Sequence, residues 1–368
     1  MLEITEIQAL SDWLLHRERF DTLAGDYFTR RFAWLSAAWF HCSRPGDRLS
    51  ILCVCRDQVP IGYLPLFTRE HPIRGRCLKF VGSGKPCSDR MGIYVAPEDC
   101  AEVSDALAEH LRSSGEQGEW DWLELEGVQM RDACMHRFLR SLRQAFGMGL
   151  YEQKHVNCWE VSLPDSWEGY LSQCGKNSRH EFRKLDRDYI KTGRAKRRIA
   201  DSRSEALQHL NAATQLHQRR RHSIDSTGCL DTDGFEPFLE NACGNLIDEK
   251  RWFSLLVEID GKLGGGAVGA FEAGRISIYL VGMEPELAVH KPGKIMNLLA
   301  IQYAIEHGCT TFDLMRGDEE YKQRLGCKPC GQYIWRAAAP RVLPRLRGSV
   351  LQAGSAVKRW LQTEAFAT

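Results

Sequence analysis

Residues 253–283, FSLLVEIDGKLGGGAVGAFEAGRISIYLVGM, are three apolar runs separated by Asp260-Gly261 and Ala273-Gly274. Turn pairs of that kind between strand-like runs specify tight connections, so the stretch predicts a three-stranded antiparallel meander. Immediately after it the pattern changes. KPGKIMNLLAIQYAIEHG, 291–308, carries Pro292 and Gly293 at its start and Gly308 at its end, the punctuation of a helix. TTFDLM, 310–315, is then a further strand. Meander, helix, strand predicts an α+β fold built on a mixed, mostly antiparallel twisted sheet flanked by helices.

The same order occurs upstream. LSILCVCRDQ (49–58) and PIGYLPLFTRE (60–70) form a hairpin pair, and CLKFVGSG and MGIYVAP are further strand candidates. From Pro97 to Ser114 apolar Val103, Ala106, Leu107 and Leu111 recur on one helical face, and WDWLELEGV (120–128) closes the series. Near residues 148–156 the pattern restarts with a strand at HVNCWEVSL, a long helix from Ser166, a strand near RAKRRIA and a helix from about Ser204 to His222. Two units are therefore expected, 1–150 and 151–340, with 341–368 a terminal arm and helix.

Composition narrows the function classes. The 368 residues balance 49 Lys and Arg against 48 Asp and Glu, so no global field draws the chain to DNA or anionic lipid, and basic function must be local. No stretch approaches the roughly eighteen apolar residues of a transmembrane helix, and the N-terminus lacks a signal-peptide core. A cytoplasmic location is expected. Fourteen scattered cysteines read as free thiols. Cys327 and Cys330 have no second pair at zinc spacing, and Cys53 and Cys55 should share one strand face, so no metal is expected. Trp120, Trp122 and Trp252 lie in strand runs and are assigned to packing.

A helix start offers free backbone N–H groups and a positive dipole end, and anions bind there. His290, Lys291, Pro292, Gly293 and Lys294 stand at that point, so a pyrophosphate could rest on the amides with two lysines adding charge; a plain helix entry with solvated lysines is the alternative.

Pro292, Gly293, Gly308, Phe312, Asp313, Gly317, Asp318, Tyr321, Lys322 and Gly326 follow one another in an order and spacing that resembles the C-terminal part of GNAT-type acyltransferases with two GNAT-like units. In particular the run resembles the bacterial group of acetyltransferases associated with cellulose biosynthesis. LPLF, FVGSG and SDRMGIYV look like that family's N-terminal strands, with Asp89 at its acidic turn, and LHQRRR resembles its helix element, giving His217 and Arg220. A more distant likeness is to Fem-type peptidoglycan aminoacyl ligases, which share a Lys-x-x-x-Gly ending, here Lys322 to Gly326. The helix start departs from the usual GNAT pyrophosphate signature, being reduced to Lys291-Pro-Gly-Lys.

The resemblance implies transfer of an acyl group from acyl-CoA, as co-substrate, to an amine or hydroxyl of a sugar, lipid or cell-envelope or exopolysaccharide precursor. Such a transfer needs a polarised thioester, a deprotonated nucleophile and a protonated leaving thiolate. Asp313 or Asp318 is then the expected base or acceptor-orienting carboxylate, and Tyr321 the proton donor to sulfur. Arg316 and Lys322, with His217 and Arg220, are expected to hold the acceptor. Read structurally, Asp313 would instead pair within the core and Arg316 would join a surface cluster with Asp318 or Glu319.

Lys176, Arg179, Arg183, Lys184 and Arg187 recur at helical spacing and form a basic stripe that could meet a polyanion such as tRNA or remain a solvated face. That stripe favours a Fem-like ligase charged by aminoacyl-tRNA; the reduced pyrophosphate motif favours a non-catalytic scaffold.

Overall fold

In the computed structural model, residues 2–129, 131–147 and 150–350 are described. The first unit runs β1 (Leu2–Ile7), α1 (Leu10–Leu15), α2 (Arg17–Ala24), α3 (Phe32–Cys42), β2 (Arg48–Arg56), β3 (Val59–His71), β4 (Gly75–Phe80), β5 (Tyr94–Val95), α4 (Cys100–Gln117), β6 (Trp122–Gln129) and α5 (Ala133–Phe146). β7 (Leu150–Ser162) leads into α6 (Trp167–Gln173), α7 (Lys176–Leu185), β8 (Ala195–Ile199), α8 (Arg203–His222), α9 (Phe235–Asp248) and the meander β9 (Trp252–Ile259), β10 (Lys262–Glu272) and β11 (Arg275–Met283). Then come α10 (Pro292–Glu306), β12 (Thr311–Arg316), α11 (Glu320–Arg324) and β13 (Lys328–Ala338).

These strands form one continuous thirteen-stranded sheet in the order β1-β2-β3-β4-β6-β13-β7-β12-β11-β10-β9-β8, with β5 on β3. The expected division near residue 150 falls at the start of β7, and there the two halves interlock. β7 pairs with β12 of its own half, while β13 inserts between β7 and the first half's β6, pairing antiparallel with both and so joining the two halves. Each half repeats one device: an antiparallel run, a crossover helix, and a parallel strand. β4 pairs in parallel with β6 across α4, and β11 with β12 across α10.

The segment from Ser166 is two helices rather than one. α6 stops at Gln173 and α7 begins at Lys176, and Arg179 donates to the carbonyls of Ser172 and Cys174, occupying acceptors that a continuous helix would use itself. Of MGIYVAP only Tyr94 and Val95 pair as a strand. α1–α3, α5, α9 and β13 add to the elements expected from sequence.

One core fills the first half and extends under α8 and α9, a second fills the second half around α10, and Trp120 and Trp122 are both about 1% exposed. All fourteen cysteines are free, and Cys53 and Cys55 do share a face, their sulfurs 3.7 Å apart. Among the described residues no cluster of His, Cys, Asp or Glu could hold a metal ion, and no helix is long and apolar enough to cross a membrane. Of the terminal arm, residues 342–350 are helical; the remainder of the 341–368 expectation, from 351, lies outside the described residues.

Candidate active site

The parallel pairing of β11 with β12 lasts only from Arg275–Thr311 to Ser277–Asp313. Beyond it the strands part, and a cavity of about 480 Å³ opens in the fork. Ile278 to Val281 form one wall, Leu314 to Arg316 the other, and the loop after β4 adds exposed Lys85, half-buried Cys87 and buried Asp89. His217, Cys229, Thr232, Phe235, Glu319, Tyr321 and Lys322 complete the lining.

Two irregularities shape the fork. Between Val268 and Gly269 the β10–β11 register slips, leaving Tyr279 as an extra residue on β11. A side chain at Gly269 would run into the Ser277 carbonyl at 1.8 Å, so only glycine admits this bulge. On β12, Met315 adopts a left-handed φ of 50°, and its N–H donates to Asp313 Oδ1 at 2.8 Å.

α8 reaches the cavity because the sheet beneath it is stripped of side chains. A Cβ at Gly282 would lie 2.4 Å from both the Ala213 carbonyl and the His217 nitrogen, and one at Gly266 would lie 3.0 Å from the Ala213 Cβ. His217 Nδ1 is thereby brought 2.9 Å from the Val281 carbonyl. A carbonyl only accepts, so Nδ1 carries the hydrogen and the neutral ring keeps its lone pair on Nε2. Burial lowers the His217 pKa below 6.5, against the Val281 bond that raises it.

Tyr321 also lines the cavity, its hydroxyl without a hydrogen-bond partner among the described residues. Burial, then the charge of Glu319, raises its pKa, so the phenol stays protonated. Tyr279 donates to the Pro86 carbonyl at 2.8 Å and stacks in an aromatic cluster with Trp34 and Phe235. The loop after β4 is thus tied to the second half.

Arg316 donates from Nε to Asp89 Oδ1 at 2.6 Å and from its main chain to Asp89 Oδ2 at 3.2 Å, while Nη2 is buried with no partner. Burial would lower its pKa, but Asp89 more than offsets that and the group is held charged.

Four expected roles do not match their places. Asp313 is 0% exposed; Arg90 Nη1 pairs with it, and Arg275 lies 3.4 Å away and also binds Glu160. A carboxylate buried and committed to two arginines has no route to an acceptor. Lys322 is also buried: Nζ donates to the carbonyls of Arg316 at 2.7 Å and Gly317 at 3.1 Å and meets Glu319 at 3.0 Å, with the Met315 carbonyl at 3.4 Å. Its three N–H bonds are committed to the chain reversal after β12, not to an acceptor. Arg220, at the end of α8, is outside the cavity lining and touches Ser223. Asp318 faces β7, accepting from Asn157 at 2.7 Å and Trp159 at 3.0 Å, and is absent from the lining.

α10 begins at Pro292, with Lys291 in a left-handed conformation as the residue before it. His290 bonds the Tyr189 hydroxyl at 2.9 Å. Lys291 and Lys294 both reach Glu181 on α7 at 2.7 Å, and although burial would raise the Glu181 pKa, the bonds from the two lysines bring it below its usual value. Gly293 faces the tip of Met283, where an added Cβ would come within 2.8 Å of Cε. Of the basic stripe, Arg183 pairs with Glu168 and Arg187 with Asp188, while Lys176 and Lys184 are exposed.

Sequence reading passed over Tyr279, Cys87, Lys85, Phe235 and Glu181. Of these only Lys85, in the GSGKP loop, stands beside a local turn signal.

Residues 176–323, which contain the fork, α8 and α10, match the family model described as an acetyltransferase (GNAT) domain. The fold as a whole is that of tandem GNAT proteins. It is similar to the crystal structure of FemX, at 13% identity and a TM-score of 0.60, over 90% of this chain and 96% of that one. It is also similar to the DUF2156 C-terminal domain of a candidate lysylphosphatidylglycerol synthetase from Agrobacterium fabrum, at 11% identity and 0.56, over 95% and 98%. A tandem GNAT protein from the clavulanic acid biosynthesis pathway aligns at 12% identity and 0.50, over 93% and 100%. No curated protein matches the chain in sequence.

Proposed function

We propose that the chain is an acyltransferase working in the β11–β12 fork, moving an acyl group from acyl-CoA to an amine or hydroxyl. The observation that carries this reading is a base and an acid lining one cavity: His217 with its lone pair on Nε2, and Tyr321 with an uncommitted, protonated hydroxyl.

The start of α10 fits the phosphates of the donor. Lys291 and Lys294 supply charge and the first turn supplies N–H groups. Both lysines rest on Glu181, which a phosphate would displace. Acyl-CoA, when bound, supplies the activated acyl group as a thioester. His217 Nε2 takes the proton from the attacking amine or hydroxyl, and Tyr321 gives one to the departing sulfur. Arg316, braced by Asp89, and exposed Lys85 are cations of the lining and suit a carboxylate or phosphate of the acceptor. The apolar walls, Ile278, Leu280, Leu314 and Phe235, suit a sugar ring or lipid stem. A cytoplasmic cell-envelope or exopolysaccharide precursor meets these requirements.

The test is a thermal-shift titration with coenzyme A, acetyl-CoA and longer acyl-CoAs, with Gly293→Asp and Lys294→Glu as controls. Binding to the native state must raise its stability by mass action. A saturable shift lost in both controls supports the reading; no shift with any acyl-CoA overturns the donor assignment. The grip of Glu181 on both lysines favours one second reading, an aminoacyl-tRNA donor that does not need this anion site. Turnover abolished by ribonuclease and independent of coenzyme A would establish it.

A further inference from the structure

Past β13 the chain turns into a helix covering residues 342–350. Arg341 anchors its start, donating to the Trp120 carbonyl at 2.8 Å and pairing with Asp121 at 2.5 Å. Pro344 and Gly348, one turn apart, face the body, and Gly348 lies so close to Trp122 that an added Cβ would be 3.2 Å from the indole. The small residues of this helix point inward.

Its apolar residues point outward. Val342, Leu343, Leu346 and Val350 are 78%, 57%, 61% and 71% exposed. At 3.6 residues per turn they fall within about 100° of one another, opposite Pro344 and Gly348. Arg345 and Arg347 are exposed at the borders of this stripe, and neither pairs with an acid among the described residues. An amphipathic helix normally buries its apolar stripe against its own protein, so this stripe is available to another apolar phase.

Charge decides which one. The whole chain is almost neutral, yet residues 341–368 hold Arg341, Arg345, Arg347, Lys358 and Arg359 against Glu364 alone. Apolar residues continue at helical spacing in the sequence through Val357, Trp360 and Leu361. A second copy of the chain would bring arginines against arginines, which opposes self-association. Basic residues bordering an apolar stripe, with a tryptophan in the same period, match the interface of an anionic bilayer. We infer that this C-terminal segment docks the protein onto an anionic lipid surface, the helix lying in the plane of the interface. Trp122, beneath the helix, is at the far end of β6 from Gly127, which touches the cavity loop at Ser88, so docking leaves the fork free.

Co-sedimentation of the full chain tests this, using vesicles of phosphatidylcholine alone and of phosphatidylcholine with phosphatidylglycerol. The chain is expected to bind the anionic vesicles, more weakly as salt rises. Val342→Asp with Leu346→Asp should abolish binding, and Arg345→Glu with Arg347→Glu should weaken it by about 30-fold or more. All four positions are exposed, so melting temperature and activity in solution should not change. No binding of the unaltered chain to anionic vesicles overturns the inference, as does equal binding by both variants. A concentration-dependent dimer that the aspartate variant dissolves would overturn it in favour of a self-interface.

Discussion

Asp89 and Arg316 are 227 residues apart in sequence and share two bonds, one to the guanidinium at 2.6 Å and one to the main-chain N–H at 3.2 Å. The contact fastens the loop after β4 to the end of β12, and both residues line the cavity. Removing one partner of a buried ion pair costs about 3–5 kcal/mol, and Arg316 would keep only the longer contact of Nη1 with Glu126, at 3.5 Å. Asp89→Ala should therefore lower the unfolding free energy by roughly that amount in urea titration, and should release Arg316 from the cavity wall. An unchanged midpoint would show that Arg316 finds another partner.

His217 sets the acid limb of activity. A base must be neutral, and its pKa in the folded chain lies below 6.5, so activity should stay level at neutral pH and fall only as pH drops through that lowered value. The same sign applies to stability: the folded state binds a proton at His217 less readily than the unfolded chain, so this contribution is lost on acidification. His217→Gln should reduce kcat by about 100-fold or more and remove the limb. A limb that persists in the variant belongs to another group.

Tyr321→Phe removes a hydroxyl that bonds none of the described residues, so melting temperature should be nearly unchanged. Steady-state kinetics should nevertheless show kcat down by about 100-fold with KM little altered, the pattern of a proton transfer made only in the transition state. The raised phenol pKa places the alkaline limb above 10, and losing activity well below that would contradict the role.

Lys322→Met separates holding the chain from holding the acceptor. The carbonyls of Met315, Arg316 and Gly317 would lose their buried donor, costing about 1–3 kcal/mol for each group left unpaired. Calorimetry should show that loss. A variant with full stability and a raised KM would return Lys322 to acceptor binding.

Gly282→Ala tests the seating of α8. The new methyl would meet main-chain atoms at 2.4 Å, and backbone cannot swing aside as a side chain can. Destabilisation of about 1–3 kcal/mol is expected, with activity falling further than stability as His217 is lifted from Val281. Equal melting curves would mean that the helix relaxes freely.

The local features of the fold were legible because they are short-range. Asp260-Gly261 and Ala273-Gly274 specify turns within two residues, and Pro292 with Gly308 bounds a helix, so the meander, α10 and β12 followed from spacing. The break between α6 and α7 was not legible, since Arg179 acts on carbonyls as far as seven residues back. Asp313 looked available because it borders a loop full of charge. Its partner Arg90 comes from the other half of the chain.

By itself the sequence determined the meander, the long helices and their order, the glycines that permit close approach, and Tyr321 and Arg316 as polar residues beyond a strand end, while His217 came from the family resemblance of its helix. Only the tertiary structure decided which of them share a cavity. β13, paired with β6 on one side and β7 on the other, joins two sheets into one, and the loop of the first half lies against the fork of the second. Burial and ion pairing then divide the charged residues: Asp313 and Lys322 are spent on neighbours, while His217 and Tyr321 keep uncommitted atoms. That division depends on partners tens to hundreds of residues away, and spacing along the chain carries no record of them.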